Sequence, residues 1–282
     1  MATYRYVVAD VFTDAPLEGN QLAVFTDARE IPEERLQRLA REMNLSETVF
    51  VYTPEAEGHA RIRIFTPVSE LPFAGHPVLG TAFVLAGPLQ LPEIRLETGM
   101  GIVPVMLERD QTGRIVFGRM SQPIPTVRPF ERGEELLAAL GVEGSELPLE
   151  LYESGVGNVY VLLPDEDAVA AVEPDLTAVA RVMGAVHANC SAGSGTRWKT
   201  RMFAPGDGVP EDPATGSAAG PLAVHLARHG RIGFGEEVVI VQGVEIGRPS
   251  TLYARVEGSP ELVERVEVGG SAVIVARGEF SL

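Results

Sequence analysis

Apolar positions along the first half of the chain change their period several times, and each change marks an element. Tyr4, Tyr6, Val7, Val8, Val11 and Phe12 make Met1–Phe12 a strand. Leu36, Leu39, Ala40 and Met43 fall at helical spacing, which predicts a helix over Glu33–Met43 with Pro32 suited to its first turn. Thr48–Tyr52 and Ala60–Phe65 are short β-branched or aromatic runs and read as strands. Pro77–Ala86 is apolar on nearly every side, through Val78, Leu79, Ala82, Phe83, Val84 and Leu85, and stops at Gly87-Pro88. A helix that is apolar all round is a buried helix. Strands resume at Ile94–Thr98, Gly101–Leu107 and Ile115–Arg119.

Pro123, Pro125 and Pro129 make Gln122–Pro129 an extended crossover between halves. Beyond it the pattern starts again. Asn158–Leu163 reads as a strand, Asp175 caps a helix that ends at Gly184, and Trp198–Phe203 is a strand. Ser217–His229 is a largely apolar helix closed by Gly230. The halves also share words. Arg63-Ile-Phe65-Thr-Pro67 leads to Glu70-Leu-Pro72-Phe-Ala-Gly75-His76, and Arg201-Met-Phe203-Ala-Pro205 leads to Glu211-Asp-Pro213-Ala-Thr-Gly216-Ser217. Gly75 and Gly216 stand 141 positions apart, half of the 282-residue chain, and Gly19-Asn20 is echoed by Gly157-Asn158. This repetition predicts two similar domains facing each other across a pseudo-two-fold axis. Their limits are 1–124 and 125–282, with a last strand at 271–279 packing back on the first domain.

Composition narrows the partners. A formal charge of −16 disfavours nucleic acid, which needs clustered Lys and Arg, and an anionic membrane surface. No stretch is apolar for the roughly 20 residues of a membrane span, and the start lacks the pattern of a signal peptide. Cys190 is the only cysteine, so no internal disulfide forms and a reducing cytoplasm is expected. Lys199 is the only lysine and hence the only possible attachment point for a lysine-linked cofactor.

In each half a strand leads through a Pro-containing turn into Gly-His or Gly-Ser at the start of a buried helix. The first N–H groups of a helix lack internal partners and carry the positive end of its dipole. They can hold a small carboxylate without a basic side chain, so an acidic protein can take an acidic substrate. The glycines let the backbone approach closely. Around the turns lie the titratable candidates His76, Glu70, Glu211 and Asp212. The bland alternative is that these are helix-capping turns and nothing more. His225 and His229 sit four apart on a helix, a zinc-like spacing, but lack an adjacent Glu and an evident third ligand, so no metal is expected. Gly193-Ser-Gly195-Thr196 lacks the continuation of a phosphate loop and reads as a simple loop. Cys190 reads as a buried structural thiol and Trp198 as a core anchor.

Gly19-Asn-Gln-Leu-Ala-Val-Phe25, Met43-Asn-Leu-Ser-Glu-Thr48, Ile64-Phe-Thr-Pro67 with Leu71-Pro-Phe-Ala-Gly-His-Pro77, and Glu211-Asp-Pro-Ala-Thr-Gly-Ser-Ala-Ala219 resemble the phenazine-biosynthesis PhzF family over essentially the whole chain. Gln122-Pro-Ile-Pro-Thr126, Arg197-Trp198 and Gln242-Gly-Val-Glu-Ile-Gly-Arg-Pro-Ser250 resemble the phenazine isomerases within it. The resemblance implies an α+β fold like that of diaminopimelate epimerase: two similar domains, each a mixed β-sheet or barrel wrapped around a central buried helix. It also implies a homodimer, no cofactor, and isomerisation of trans-2,3-dihydro-3-hydroxyanthranilate, a proton moving from C3 to C1 to give an aminoketone.

Carried over position by position, Glu47 is the proton carrier, while His76 and Asp212 orient the substrate. Ser217 and the N–H groups of Gly75 and Gly216 hold its carboxylate, and Asn20 and Ser46 complete the binding set. Residue pattern alone passes over Glu47, because a Glu at a helix-to-strand junction is usually a solvated surface residue. A lone Glu can act as both base and acid in a closed, dry cleft. Gln21 stands where family members often carry Pro, and Ala74 and Thr215 stand where racemase relatives carry cysteines, so two-thiol racemisation is unavailable. Two alternatives stay open: an isomerase of the same family acting on another small amino-carboxylate, and a carboxylate-binding protein without chemistry.

Overall fold

The computed structural model describes residues 2–282, apart from the side chains of residues 88 and 89; Met1, at the head of the expected first strand, lies outside the described residues. Residues through Ser121 together with Gly269–Leu282 form one compact unit, and Gln122–Val268 form the other.

The first unit runs β1 (Thr3–Val11), β2 (Asn20–Phe25), α1 (Glu33–Met43), β3 (Glu47–Tyr52), β4 (Ala60–Phe65), β5 (Glu70–Leu71), α2 (Gly75–Leu89), β6 (Glu93–Thr98), β7 (Gly101–Arg109) and β8 (Ile115–Gln122). α1 has acidic Glu33 and Glu34 in its first turn and Arg41 in its last, which suits the helix dipole, and it ends at Asn44 in a left-handed conformation. Pro32 stands one place ahead of the helix, at the N-cap position. The helix buries Leu36, Leu39 and Ala40 in a cluster with Phe25, Phe50 and Phe65. Phe25 stacks on Phe50 at 5.1 Å, and each fully buried side chain of this size contributes roughly 2 kcal/mol. α2 keeps Val78, Leu79, Ala82, Phe83 and Ala86 out of solvent and packs on β1, β2, β3, β6 and β7. It starts at Gly75, two residues before the apolar run that announces it, because Pro77 is at home in a first helical turn.

The second unit runs β9 (Thr126–Pro129), α3 (Gly133–Leu140), β10 (Glu150–Glu153), β11 (Gly157–Leu162), α4 (Glu166–Ala170), α5 (Leu176–Met183), β12 (His187–Ser194), β13 (Arg197–Ala204), a 3-10 turn at Pro205–Asp207, β14 (Val209–Asp212), α6 (Gly216–Arg228), β15 (Glu237–Gln242), β16 (Ser250–Gly258) and β17 (Val263–Gly270). The chain then returns as β18 (Ala272–Ser281), which pairs antiparallel with β1 along its whole length. The expected extended crossover at Gln122–Pro129 contains the end of β8 and all of β9, which pairs antiparallel with β10. Gly195-Thr196 is a two-residue hairpin turn, with Ser194 paired to Arg197 and Gly195 at φ 53°.

The two units repeat one pairing scheme. In the first, β2–β3 are parallel, β3–β4 and β4–β5 antiparallel, β4–β6 parallel and β6–β7 antiparallel. In the second, β11–β12 are parallel, β12–β13 and β13–β14 antiparallel, β13–β15 parallel and β15–β16 antiparallel. Each scheme surrounds one buried helix. α6 is the more enclosed: every residue from Gly216 to Ala227 is buried, and it packs on β11 and β16. The fold is therefore α+β and internally repeated, with mixed rather than purely antiparallel sheets.

Candidate functional site

In the first unit, parallel pairing sets Glu47, the first residue of β3, beside Leu22 near the start of β2. Asn20 opens β2, and His76 is the second residue of α2. These three side chains meet. Asn20 Nδ2 lies 3.2 Å from His76 Nδ1, and His76 Nε2 lies 3.3 Å from Glu47 Oε2. His76 thus meets the amide with one ring nitrogen and the carboxylate with the other. Burial lowers the His76 pKa to about 3, and a hydrogen bond with the Gln21 backbone offsets only part of this. The imidazole is thus neutral. The Glu47 side chain is only 14% exposed, so the residue that pattern reading takes for a surface carboxylate is enclosed against the histidine. Ser46 is half-buried immediately ahead of it.

In the second unit, Asp212 ends β14 and is buried. Its Oδ2 accepts a short 2.6 Å hydrogen bond from the Thr215 hydroxyl. Gln242, at the end of β15, accepts from the Thr215 N–H at 3.1 Å and donates to the Asp212 carbonyl at 2.8 Å and to Thr215 Oγ1 at 2.9 Å. Gln122 Nε2 donates to the Gly216 carbonyl at 2.8 Å. Gly216 and Ser217 open α6, as Gly75 and His76 open α2, and all four are buried. Neither N-cap residue, Ala74 before α2 or Thr215 before α6, makes a side-chain cap hydrogen bond.

Glu70 and Glu211 have a different fate from the turns they precede. Arg63 donates from Nε and Nη2 to Glu70 at 2.7 Å each and from its other edge to Glu33, while Arg201 donates to Glu211 at 2.9 and 2.8 Å. Both guanidiniums also lie over a phenyl ring, Phe65 at 5.2 Å and Phe203 at 5.1 Å. These arginine-paired carboxylates brace the repeat. Cys190 is buried, and burial pushes its thiol up to about 12, which leaves it inert at neutral pH. Trp198 is buried and donates from Nε1 to the Gly195 carbonyl.

His225 and His229 do have a third neighbour, from β10. Ligand-type atoms of Glu150, His225 and His229 lie within 4.8 Å of one another. Glu150 Oε2 already accepts from His229 Nε2 at 2.9 Å, Arg228 Nη1 at 3.2 Å and the Tyr152 hydroxyl at 2.8 Å. The Tyr152 hydroxyl also lies 3.0 Å from His225 Nδ1. The Arg228 guanidinium supplies the positive charge that a bound cation would bring, and burial lowers His225 to about 4. The cluster is an internal hydrogen-bonded network of the second unit. Among the described residues, no helix is long and apolar enough to cross a membrane.

Comparison with known proteins follows the same lines. The family described as PhzC-PhzF, phenazine biosynthesis-like protein, matches residues 9–278. The trans-2,3-dihydro-3-hydroxyanthranilate isomerase of Pseudomonas aeruginosa is 54% identical, covering 99% of this chain and all of its own. The crystal structure of a PhzF-family phenazine biosynthesis protein from Bacillus anthracis superposes with a TM-score of 0.84 at 27% identity, with both chains fully covered. A solved structure from Pseudomonas aeruginosa described as a predicted epimerase gives 0.81 at 30% identity, covering 98% of this chain and 99% of that one.

Proposed function

The chain belongs to the PhzC-PhzF, phenazine biosynthesis-like family and is an isomerase, and from that premise we propose that its substrate is trans-2,3-dihydro-3-hydroxyanthranilate. Glu47 takes the proton from C3, the ring electrons shift, and the same carboxyl group returns the proton at C1. The enol so formed tautomerises to an aminoketone. No atom is gained or lost, so the reaction needs neither an oxidant nor a cofactor.

The observation that supports this reading best is the enclosed contact between Glu47 and a neutral His76. A neutral imidazole beside the carboxylate does not trap it as an ion pair. His76, held by Asn20, orients the substrate from Nε2. Asp212 is assigned the substrate's polar ring substituents. The carboxylate is assigned to Ser217 and the backbone N–H groups of Gly75 and Gly216, since helix starts without side-chain caps suit an anion. Ser46 completes the binding set. We further assign the protein to the cytoplasm as a homodimer, with no nucleic-acid or membrane partner, in keeping with its charge of −16.

The test is turnover in deuterated water with no added cofactor or metal. Ultraviolet absorbance follows substrate loss, and mass spectrometry reads the label in the product. The expected result is rapid loss that falls by about 10²–10⁴-fold in Glu47→Gln. Full activity in that variant removes the proton-carrier assignment. No turnover by the folded parent protein removes the substrate and leaves an isomerase for another small amino-carboxylate.

A further inference from the structure

The repeat supplies an internal control for the turn that carries Asp212. Aligning Glu70-Leu-Pro-Phe-Ala-Gly-His76 with Glu211-Asp-Pro-Ala-Thr-Gly-Ser217 sets Leu71 opposite Asp212 and Ala74 opposite Thr215. The matching strands β6 and β15 end at Thr98 and Gln242, each followed by a glycine. Both glycines are pressed onto the turn. A Cβ on Gly99 would come within 2.9 Å of Pro72 Cα, and one on Gly243 within 2.6 Å of the Pro213 carbonyl oxygen. The backbone contact between strand end and turn is therefore common to both units, and the side chains on it differ.

In the first unit the three positions hold Leu71, Ala74 and Thr98, and the Thr98 hydroxyl donates to Gly101 rather than to the turn. In the second unit all three are polar and bonded to one another. Thr215 donates to Asp212 Oδ2, and Gln242 holds Thr215 through both N–H and Oγ1 while also binding the Asp212 carbonyl. Gln242 Nε2 donates to Thr215 Oγ1, so that oxygen's own proton is left to go to the Asp212 carboxylate. All three residues are buried, where a directed hydrogen bond to a charged group fixes its orientation more firmly than one in water.

We infer that Thr215 and Gln242 are positioning residues that hold the Asp212 carboxylate in its working orientation. This inference rests on the proposed role of Asp212. The two residues act in series: Gln242 fixes the direction of the Thr215 hydroxyl, and the hydroxyl fixes the carboxylate. In the first unit, whose turn carries His76 instead, the matching positions hold Leu71, Ala74 and Thr98.

The experiment compares Asp212→Asn, Thr215→Val, Thr215→Ser, Gln242→Leu and, as the matched control, Thr98→Val, in the deuterium assay. kcat and KM are measured separately, and melting temperature is followed for each. Thr215→Val and Gln242→Leu should lower kcat by about ten- to a hundredfold, the size of one hydrogen bond to a charged group, with KM changed by less than about threefold. Thr215→Ser, which keeps the hydroxyl, should restore most of the rate, and Thr98→Val should leave it unchanged. The inference is overturned if Asp212→Asn is inactive while Thr215→Val and Gln242→Leu keep kcat within twofold, or if Thr215→Ser is as slow as Thr215→Val. Full activity in Asp212→Asn instead overturns the role of Asp212 itself, and the inference with it.

Discussion

The turn before α2 and the turn before α6 share a backbone, a proline, a glycine and an arginine-braced glutamate, yet they carry opposite kinds of polarity. At the first, the polar contacts come from elsewhere in the chain: Asn20 and Glu47 reach a histidine that has been stripped of its charge. At the second, they are made within the turn and its neighbouring strand end, through Asp212, Thr215 and Gln242. One half of the repeat presents a titratable pair, and the other presents a fixed hydrogen-bonded array. Duplication provides two equivalent helix starts, and under the proposed function a few side chains decide which handles protons and which holds a ligand still.

The bracing arginines offer the hardest test of that equivalence. Arg201 is 9% exposed and also donates to the Val169, Ala170 and Val172 carbonyls, whereas Arg63 is 21% exposed and faces two carboxylates nearer solvent. Arg201→Met should destabilise the fold by about 3–5 kcal/mol, because it leaves a buried carboxylate and three carbonyls without a donor. Arg63→Met should cost about 1 kcal/mol. Denaturant midpoints for the two variants decide it; equal losses would mean that the repeat is energetically symmetric.

The next contrast is between the helix starts themselves. His76→Asn should lower kcat by about 10²-fold or more with the melting temperature little changed, since the variant removes the imidazole that faces Glu47. Ser217→Ala, at the matching position, should weaken substrate binding by about 1 kcal/mol, one hydrogen bond. Comparable effects on kcat from both would erase the division of labour drawn above.

Acid should act on both units through buried histidines. His76 and His225 are held by burial at about 3 and about 4, below the ordinary value of 6.5. Between pH 6.5 and those values the unfolded chain binds protons that the folded chain does not. Stability is therefore complete above about pH 6.5 and falls progressively as the pH drops toward 3. Melting temperature against pH should show this slope, reduced in His225→Gln; a flat profile over that window would mean that neither ring is excluded from protonation.

Much of this architecture is legible in the sequence because it is written in residues with few conformational options. Gly75, Pro77, Pro213 and Gly216 mark the turns, and the apolar run through Leu79 and Phe83 marks the buried helix. β12 is not legible: His-Ala-Asn-Cys-Ser-Ala-Gly-Ser has almost no β-branched residues and becomes a strand because neighbours bury it on both faces. Glu47 escapes pattern reading because one carboxylate at a strand start looks the same whether water or a histidine lies beyond it; only the resemblance singles it out. Gln242 and Glu150 are hidden for a further reason. Gln242 meets Thr215 across 27 positions and Glu150 meets His229 across 79, and no local spacing encodes that.

β18 joins β1 across residues as far apart in the chain as Arg5 and Glu279, separated by 274 positions. During synthesis β1 leaves the ribosome before Gln122–Val268, and β18 follows only after all of that segment, which has its own strands in hand. Until then the outer edge of β1 is an open row of amides and carbonyls, ready to pair with any extended chain nearby. The interval between the two strands is thus the period in which a nascent molecule is most exposed to aggregation. Changes that loosen β18 would be felt in the yield of soluble protein before they are felt in the rate of catalysis.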